Sequence, residues 1–161
     1  MGMSKPRKRV IRGANYVIED ESRIPQVFEK IKELRHHEIT VGIFGNEELV
    51  KKAAIHEYGA PKAGIPERSF LRAGTLKYKS AISKEIRDNI GDVVEGATSV
   101  QDLLEKIGSV AAEKVAMYFD KIKEPALLPV TIARRKDKSK KPLIDTKELR
   151  DAIKYEVKPK K

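Results

Sequence analysis

The chain of 161 residues contains no cysteine, so it has no disulfide framework, no thiolate metal site and no cysteine nucleophile. That absence fits a reducing compartment. Aromatic residues make up only 6% of the sequence, whereas 36% is charged. The 40% that is hydrophobic suffices for a folded core, and the surface around it is expected to be highly charged. No apolar run approaches the roughly 20 residues that cross a bilayer, so no membrane partner is expected. The opening Met1-Gly2-Met3-Ser4-Lys5-Pro6 is basic but has no apolar stretch behind it and does not read as a secretory signal. Pro6 also stands where a myristoylation pattern wants Ser or Thr. The length fits one domain with arms.

What the sequence does have is positive charge, unevenly placed. The net charge is +10, yet residues 1–15, 134–141 and 158–161 together carry +13, which leaves the remainder at −3. The expected organisation is therefore a basic flexible arm over 1–15, a single mildly acidic domain over 16–157 with a basic loop at 134–141, and a basic tail at 158–161. Arms and loop of this kind suit an acidic neighbour, either nucleic acid or protein. The residues in question are Arg7, Lys8 and Arg9 in the arm, and Arg134, Arg135, Lys136, Lys138, Lys140 and Lys141 in the loop.

Periodicity places the elements. Tyr16-Val17-Ile18 reads as an edge strand. Ser22 is a candidate cap for a helix carrying Ile24, Val27, Phe28, Ile31 and Leu34, with Pro25 tolerable in its first turn. The β-branched run Ile39–Phe44 reads as a strand that turns at Gly45-Asn46. Glu47–Tyr58 reads as a short helix with Gly59 as its C-cap, followed by a loop to Pro66. A long helix is expected from about Glu67 to Val94 on Leu71, Tyr78, Ile82, Ile86 and Ile90, with Gly91 and Gly96 marking its end. The clearest helix follows Thr98 or Ser99, runs from Val100 to Ile122, and stops before Pro125 and Pro129. Thr146 can cap one short turn over Lys147–Ala152, and Ile153–Val157 alternates like a half-buried strand. The fold class expected is α+β: a small mixed or antiparallel sheet packed against two long helices, with extended basic N- and C-terminal arms. The strands at 39–44 and 153–157 should share that sheet.

Reactive groups do not converge. His56-Glu57 resembles the start of a zinc-protease helix, but Ala60 occupies the position of the second histidine. His36 and His37 are adjacent, about 100° apart on a helix, and cannot chelate one ion together. Gly42 and Gly45 lie between a strand and a helix, as in a phosphate loop, but no Lys-Ser/Thr follows and two acids open the helix. Asp145-Thr146 reads as a cap rather than a catalytic acid. Neither enzyme activity nor a cofactor or metal is expected.

Two segments carry a resemblance. The first is Ile55-His56-Glu57-Tyr58-Gly59-Ala60-Pro61 with Ile65-Pro66-Glu67-Arg68-Ser69-Phe70-Leu71-Arg72. The second is Leu127-Leu128-Pro129 onward to Arg134-Arg135-Lys136, then Lys141-Pro142-Leu143-Ile144-Asp145-Thr146, Leu149 and Ala152-Ile153. In this order and separation they resemble the phage virion-morphogenesis and tail-component families. Ser69 stands where those families usually have Pro, and Lys147 where they usually have Gly after the Asp145-Thr146 turn. The resemblance implies a structural virion protein at the head–tail junction of a long-tailed bacteriophage, assembled in the host cytoplasm. Its partners would be copies of itself in a ring, expected to be six-fold, and neighbouring neck, tail-terminator or tail-tube proteins, with non-specific contact to packaged DNA. His56, Glu57, Tyr58, Arg68 and Arg72 are then the candidates for a subunit interface. The alternative is a non-sequence-specific nucleic-acid-binding module. Against it, no helix-turn-helix, zinc finger or aromatic stacking platform is present to read bases.

Overall fold

The computed structural model describes residues 7–14, 17–127, 129–134 and 148–160. In chain order these form β1 (Arg7–Arg12), β2 (Val17–Ser22), α1 (Ile24–Arg35), β3 (His37–Ile43), α2 (Glu47–Tyr58), α3 (Leu71–Glu95), α4 (Val100–Lys121), α5 (Pro129–Arg134), α6 (Glu148–Asp151) and β4 (Ile153–Pro159). The architecture is α+β, with a two-stranded antiparallel sheet packed against long helices.

α4 is the centre of this arrangement. Its buried stripe, Val100, Leu103, Leu104, Ile107, Ala111, Val115 and Phe119, follows the helical repeat and faces two hydrophobic clusters. Its N-terminal half meets Val93 of α3, with Leu34, Ile39, Ile82 and Val157 closing over it. Its C-terminal half meets Ala53, Phe70, Leu149 and Ile153, where the Phe70 and Phe119 rings stand edge to face at 5.1 Å.

α3 and α4 form an antiparallel helical hairpin. Gly96 takes the left-handed conformation (φ 87°, ψ 10°) that ends α3, and the Ala97 and Thr98 N–H groups return to the Asp92 carbonyl. Ser99 caps α4 by accepting from the Asp102 N–H at 3.0 Å. Lys106 bridges the two helices, donating to Asn89 Oδ1 at 2.6 Å and pairing with Glu85 at 3.1 Å. Near the open end, Tyr118 packs on Gly74, where an added Cβ would sit 3.2 Å from the Tyr118 Cβ.

β3 and β4 pair antiparallel from His37↔Pro159 to Ile43↔Ile153, joining residues far apart in sequence as the hydrophobic patterns predict. The sheet lies on α4 through Tyr155, whose ring covers Gly108 so closely that a Cβ there would meet it at 2.2 Å. The Tyr155 hydroxyl donates to Glu105 at 2.8 Å.

Several boundaries differ from the sequence expectation. Residues 7–12 lie within the segment read as a flexible arm, but pair with β2 from Arg7↔Ser22 to Arg12↔Val17. The β-branched pair Val10-Ile11 favours a strand, and the register sets Lys8 and Arg9 opposite Glu21 and Asp20. Ser22 therefore ends β2 instead of capping α1; Arg23 is the N-cap and offers no side-chain bond, while Pro25 in the first turn lacks the N–H that would need one. Lys158 and Pro159, read as part of a basic tail, belong to β4. Pro129 opens α5 instead of merely stopping α4, as its fixed φ allows, and Arg134 closes that helix. Tyr16 lies outside the described residues.

Ile107 is central to the Val93 cluster and nearly inaccessible. Ile107→Ala is expected to cost about 2–5 kcal/mol, since lost burial and the residual cavity add. Urea unfolding checks this; a loss below about 1 kcal/mol would place the core elsewhere.

Candidate functional site

The first motif block folds around the Glu57 carboxylate. Glu57 sits in the last turn of α2 and is 2% exposed. Its Oε2 accepts from the backbone N–H groups of Phe70 (2.8 Å) and Leu71 (2.9 Å). Its Oε1 accepts from Ser69 Oγ (2.7 Å), the Arg72 N–H (3.0 Å) and Arg72 Nε (2.9 Å). The first N–H groups of any helix lack intrahelical partners. Phe70, the N-cap of α3, has no side chain that could accept from them. A carboxylate from a different helix takes that place, at the positive end of the helix dipole. α3 accordingly begins at Leu71 and not at Glu67, and residues 66–69 before it carry no regular secondary structure.

Burial by itself would raise the Glu57 pKa; hydrogen bonds from Ser69, from the Leu71 and Arg72 N–H groups and from the Arg72 guanidinium outweigh it and hold the pKa below its ordinary value.

The intervening loop is constrained by Gly59. Its φ of +72° with ψ 171° is a conformation essentially confined to glycine, and a Cβ there would fall 2.8 Å from the Glu67 backbone nitrogen. The loop folds back through the Ala60–Ile65 bridge, and the Arg68 N–H donates to the His56 carbonyl at 2.7 Å. The Arg68 side chain is 5% exposed and reaches across the fold, donating to the carbonyls of Pro125 (2.8 Å) and Ala126 (3.2 Å). Those carbonyls immediately precede the second motif block. Leu149 and Ile153 of that block lie in the same buried cluster as Phe70.

Glu57 and Arg68, expected at a subunit interface, are thus internal. Charged groups with this many partners are held where water is excluded, and they serve the fold of their own chain. His56 is half-buried beside them. The other two candidates are at the surface. Tyr58 is 65% exposed and the Arg72 guanidinium lies 4.8 Å from its ring centroid, with Glu67 pairing to Arg72 at 2.7 Å. Leu76, one turn beyond Arg72 on α3, is 73% exposed. Sequence reasoning missed Leu76, although it is an apolar residue out of phase with the Tyr78–Ile82–Ile86–Ile90 row. Tyr58, Arg72 and Leu76 thus lie at the surface of this region.

Of the basic candidates, Arg7, Lys8 and Arg9 lie on β1 and Arg134 ends α5. Arg135, Lys136, Lys138, Lys140 and Lys141, with the motif turn Asp145-Thr146, lie outside the described residues. Among the described residues no group of three His, Asp or Glu side chains could hold a metal, and no helix is long and apolar enough to cross a membrane. Compared with protein-family models, curated proteins and solved structures, the chain matches none.

Because the Glu57 pKa is lowered on folding, its contribution to stability is complete above the unfolded-state pKa and is lost as pH falls through the folded-state value. Glu57→Gln is expected to cost roughly 2–4 kcal/mol at neutral pH. The gap to wild type should narrow below the ordinary glutamate pKa of 4.5. Urea titrations at several pH values measure this, and a gap that stayed constant with pH would show that the charge is not what caps α3.

Proposed function

We propose that this chain is a structural, non-enzymatic subunit of the bacteriophage head–tail junction, a neck or tail-completion protein that works as one member of a ring. The observation that carries this reading is that the first motif block is tied to the described residues at both ends of the second. Arg68 of the first is bonded to the backbone at Pro125 and Ala126, at the threshold of the second, and Phe70 shares its buried cluster with Leu149 and Ile153. The resemblance thus rests on residues that are coupled in space. The internal half of the signature sets the fold, and the exposed Tyr58, Arg72 and Leu76 are left for neighbours. An aromatic ring, a guanidinium and an aliphatic side chain side by side are the residue types that anchor protein interfaces.

The partners in this reading are copies of the chain and the adjoining neck, tail-terminator or tail-tube proteins. In isolation the protein is a monomer or weak oligomer, and the ring closes on its assembly partner. The basic residues of β1 and of the 134–141 segment are the candidates for contact with acidic neighbours, packaged DNA among them. The net charge of +10 also favours a second reading, free non-sequence-specific nucleic-acid binding. That reading requires salt-sensitive DNA affinity in the isolated chain.

Deleting the gene from its phage is expected to leave filled heads and separate tails in negatively stained lysates; normal infectious particles would overturn the proposal. A Tyr58→Ala/Leu76→Ala chain should lose no more than about 1 kcal/mol of stability, because both side chains are exposed. It should nevertheless fail to complement the deletion, and full complementation would remove this patch from the interface.

A further inference from the structure

Among the described elements the β1–β2 hairpin is the least supported. Its strands pair with each other, but no other described element packs on them to a comparable extent. Val10 and Ile11 are exposed at its first strand. A lone two-stranded hairpin is marginally stable in water and gains most from a third strand.

An edge of matching length is open on the same molecule. β4 bonds to β3 along one side, and among the described residues no strand pairs with its other side. Beside it runs an open groove of about 610 Å³, lined by Glu105, Ser109 and Ala112 of α4 and by every residue from Ile153 to Lys158. Successive strand residues point to opposite faces. A groove that touches all of them therefore follows the edge of the strand. β2 has six residues and β4 has seven, so their lengths match.

Charge selects which strand of the hairpin fits. β2 carries Glu19, Asp20 and Glu21 and no base, whereas β4 and its extension carry Lys154, Lys158 and Lys160 against Glu156. β1, with Arg7, Lys8, Arg9 and Arg12, would set like charges beside that edge. With β2 innermost, β1 stays outermost, where basic residues discourage further strand addition.

We propose that β2 of one copy adds to the free edge of β4 in a neighbouring copy, giving a sheet in the order β3–β4–β2–β1 that spans two chains. A second copy is the occupant because the hairpin runs straight into α1 through Arg23 and does not lie on the β4 of its own chain. Main-chain hydrogen bonds supply the affinity, as in other strand additions, and charge supplies the choice of strand. Donor and acceptor are different surfaces, so each contact leaves a hairpin and a groove unused until the series closes on itself. The inference rests on the ring-subunit reading only for that closure.

The chain has no cysteine, so introduced thiols are the only ones. Full-length Lys154→Cys is combined with Glu19→Cys or Asp20→Cys, which sit on opposite faces of β2. The controls combine it with their register partners on β1, Val10→Cys or Arg9→Cys. Each concentrated protein is treated with a short bis-maleimide, which traps weak contacts. Adjacent strands lie about 4.8 Å apart, and β1 would be twice as far from β4. At least one β2 variant should give a ladder of covalent dimer, trimer and larger species, about tenfold stronger than either β1 control, because distance and like charge both disfavour β1. No ladder from either β2 variant, or equal ladders from β1, would overturn the proposal. So would a cross-link mapped within one chain, which would put the hairpin on its own groove. The gene-deletion phenotype bears on the phage reading and not on this ladder, so either can fail alone.

Discussion

The Glu57 carboxylate accepts five hydrogen bonds, and every donor belongs to residues 69–72, where α3 begins. Burying a carboxylate costs several kcal/mol unless its lone pairs are satisfied. Here the need of the helix end for an acceptor and the need of the carboxylate for donors are met together. The bonds hold α2 and the start of α3 in one geometry. Phe70, whose N–H is one of the donors, is thereby placed against Phe119 in the core. The direction of α3, the return of α4 along it and the position of the sheet on α4 all follow from that start.

Two close approaches complete the arrangement. Tyr118 lies on Gly74 where α3 and α4 meet, and Tyr155 lies on Gly108 where α4 meets β4. Each pairs a flat ring with a residue that has no side chain. Arg150 adds a further tie, donating from Nε to both carboxylate oxygens of Asp120 at 2.9–3.0 Å and so fixing α6 to α4 just before β4 begins. Lys30 does the same for α1, donating to the Val93 carbonyl near the end of α3. These ties join α6 and α1 to the α3–α4 pair on which β4 lies.

Two charged residues of the first motif block, Glu57 and Arg68, therefore serve the interior. Glu57 and Arg68 are satisfied by their own chain and have little left to offer a partner. The side chains available for contact, Tyr58, Arg72 and Leu76, lie on the outer side of the same region.

Sequence periodicity was enough to find α1, α2, α4 and the pairing of β3 with β4, because repeats of 3.6 and 2 residues report which face is apolar. The caps at Gly59 and Ser99 were legible for an equally local reason: glycine readily takes a positive φ at a helix end, and a serine hydroxyl reaches the N–H three residues on. The β1 strand was not legible, since four basic residues among six outweigh Val10 and Ile11 until the acidic partner strand is set opposite them. Nor was the inward turn of Glu57 and Arg68, because a charged side chain on a helix end or loop is ordinarily solvated. Its partners lie 12–15 residues on for Glu57 and 57–58 residues on for Arg68, and only the folded chain brings them within hydrogen-bond distance. Local pattern determined the elements; tertiary structure decided which charges are buried, because a hydrogen bond across the fold leaves no periodic trace in the sequence.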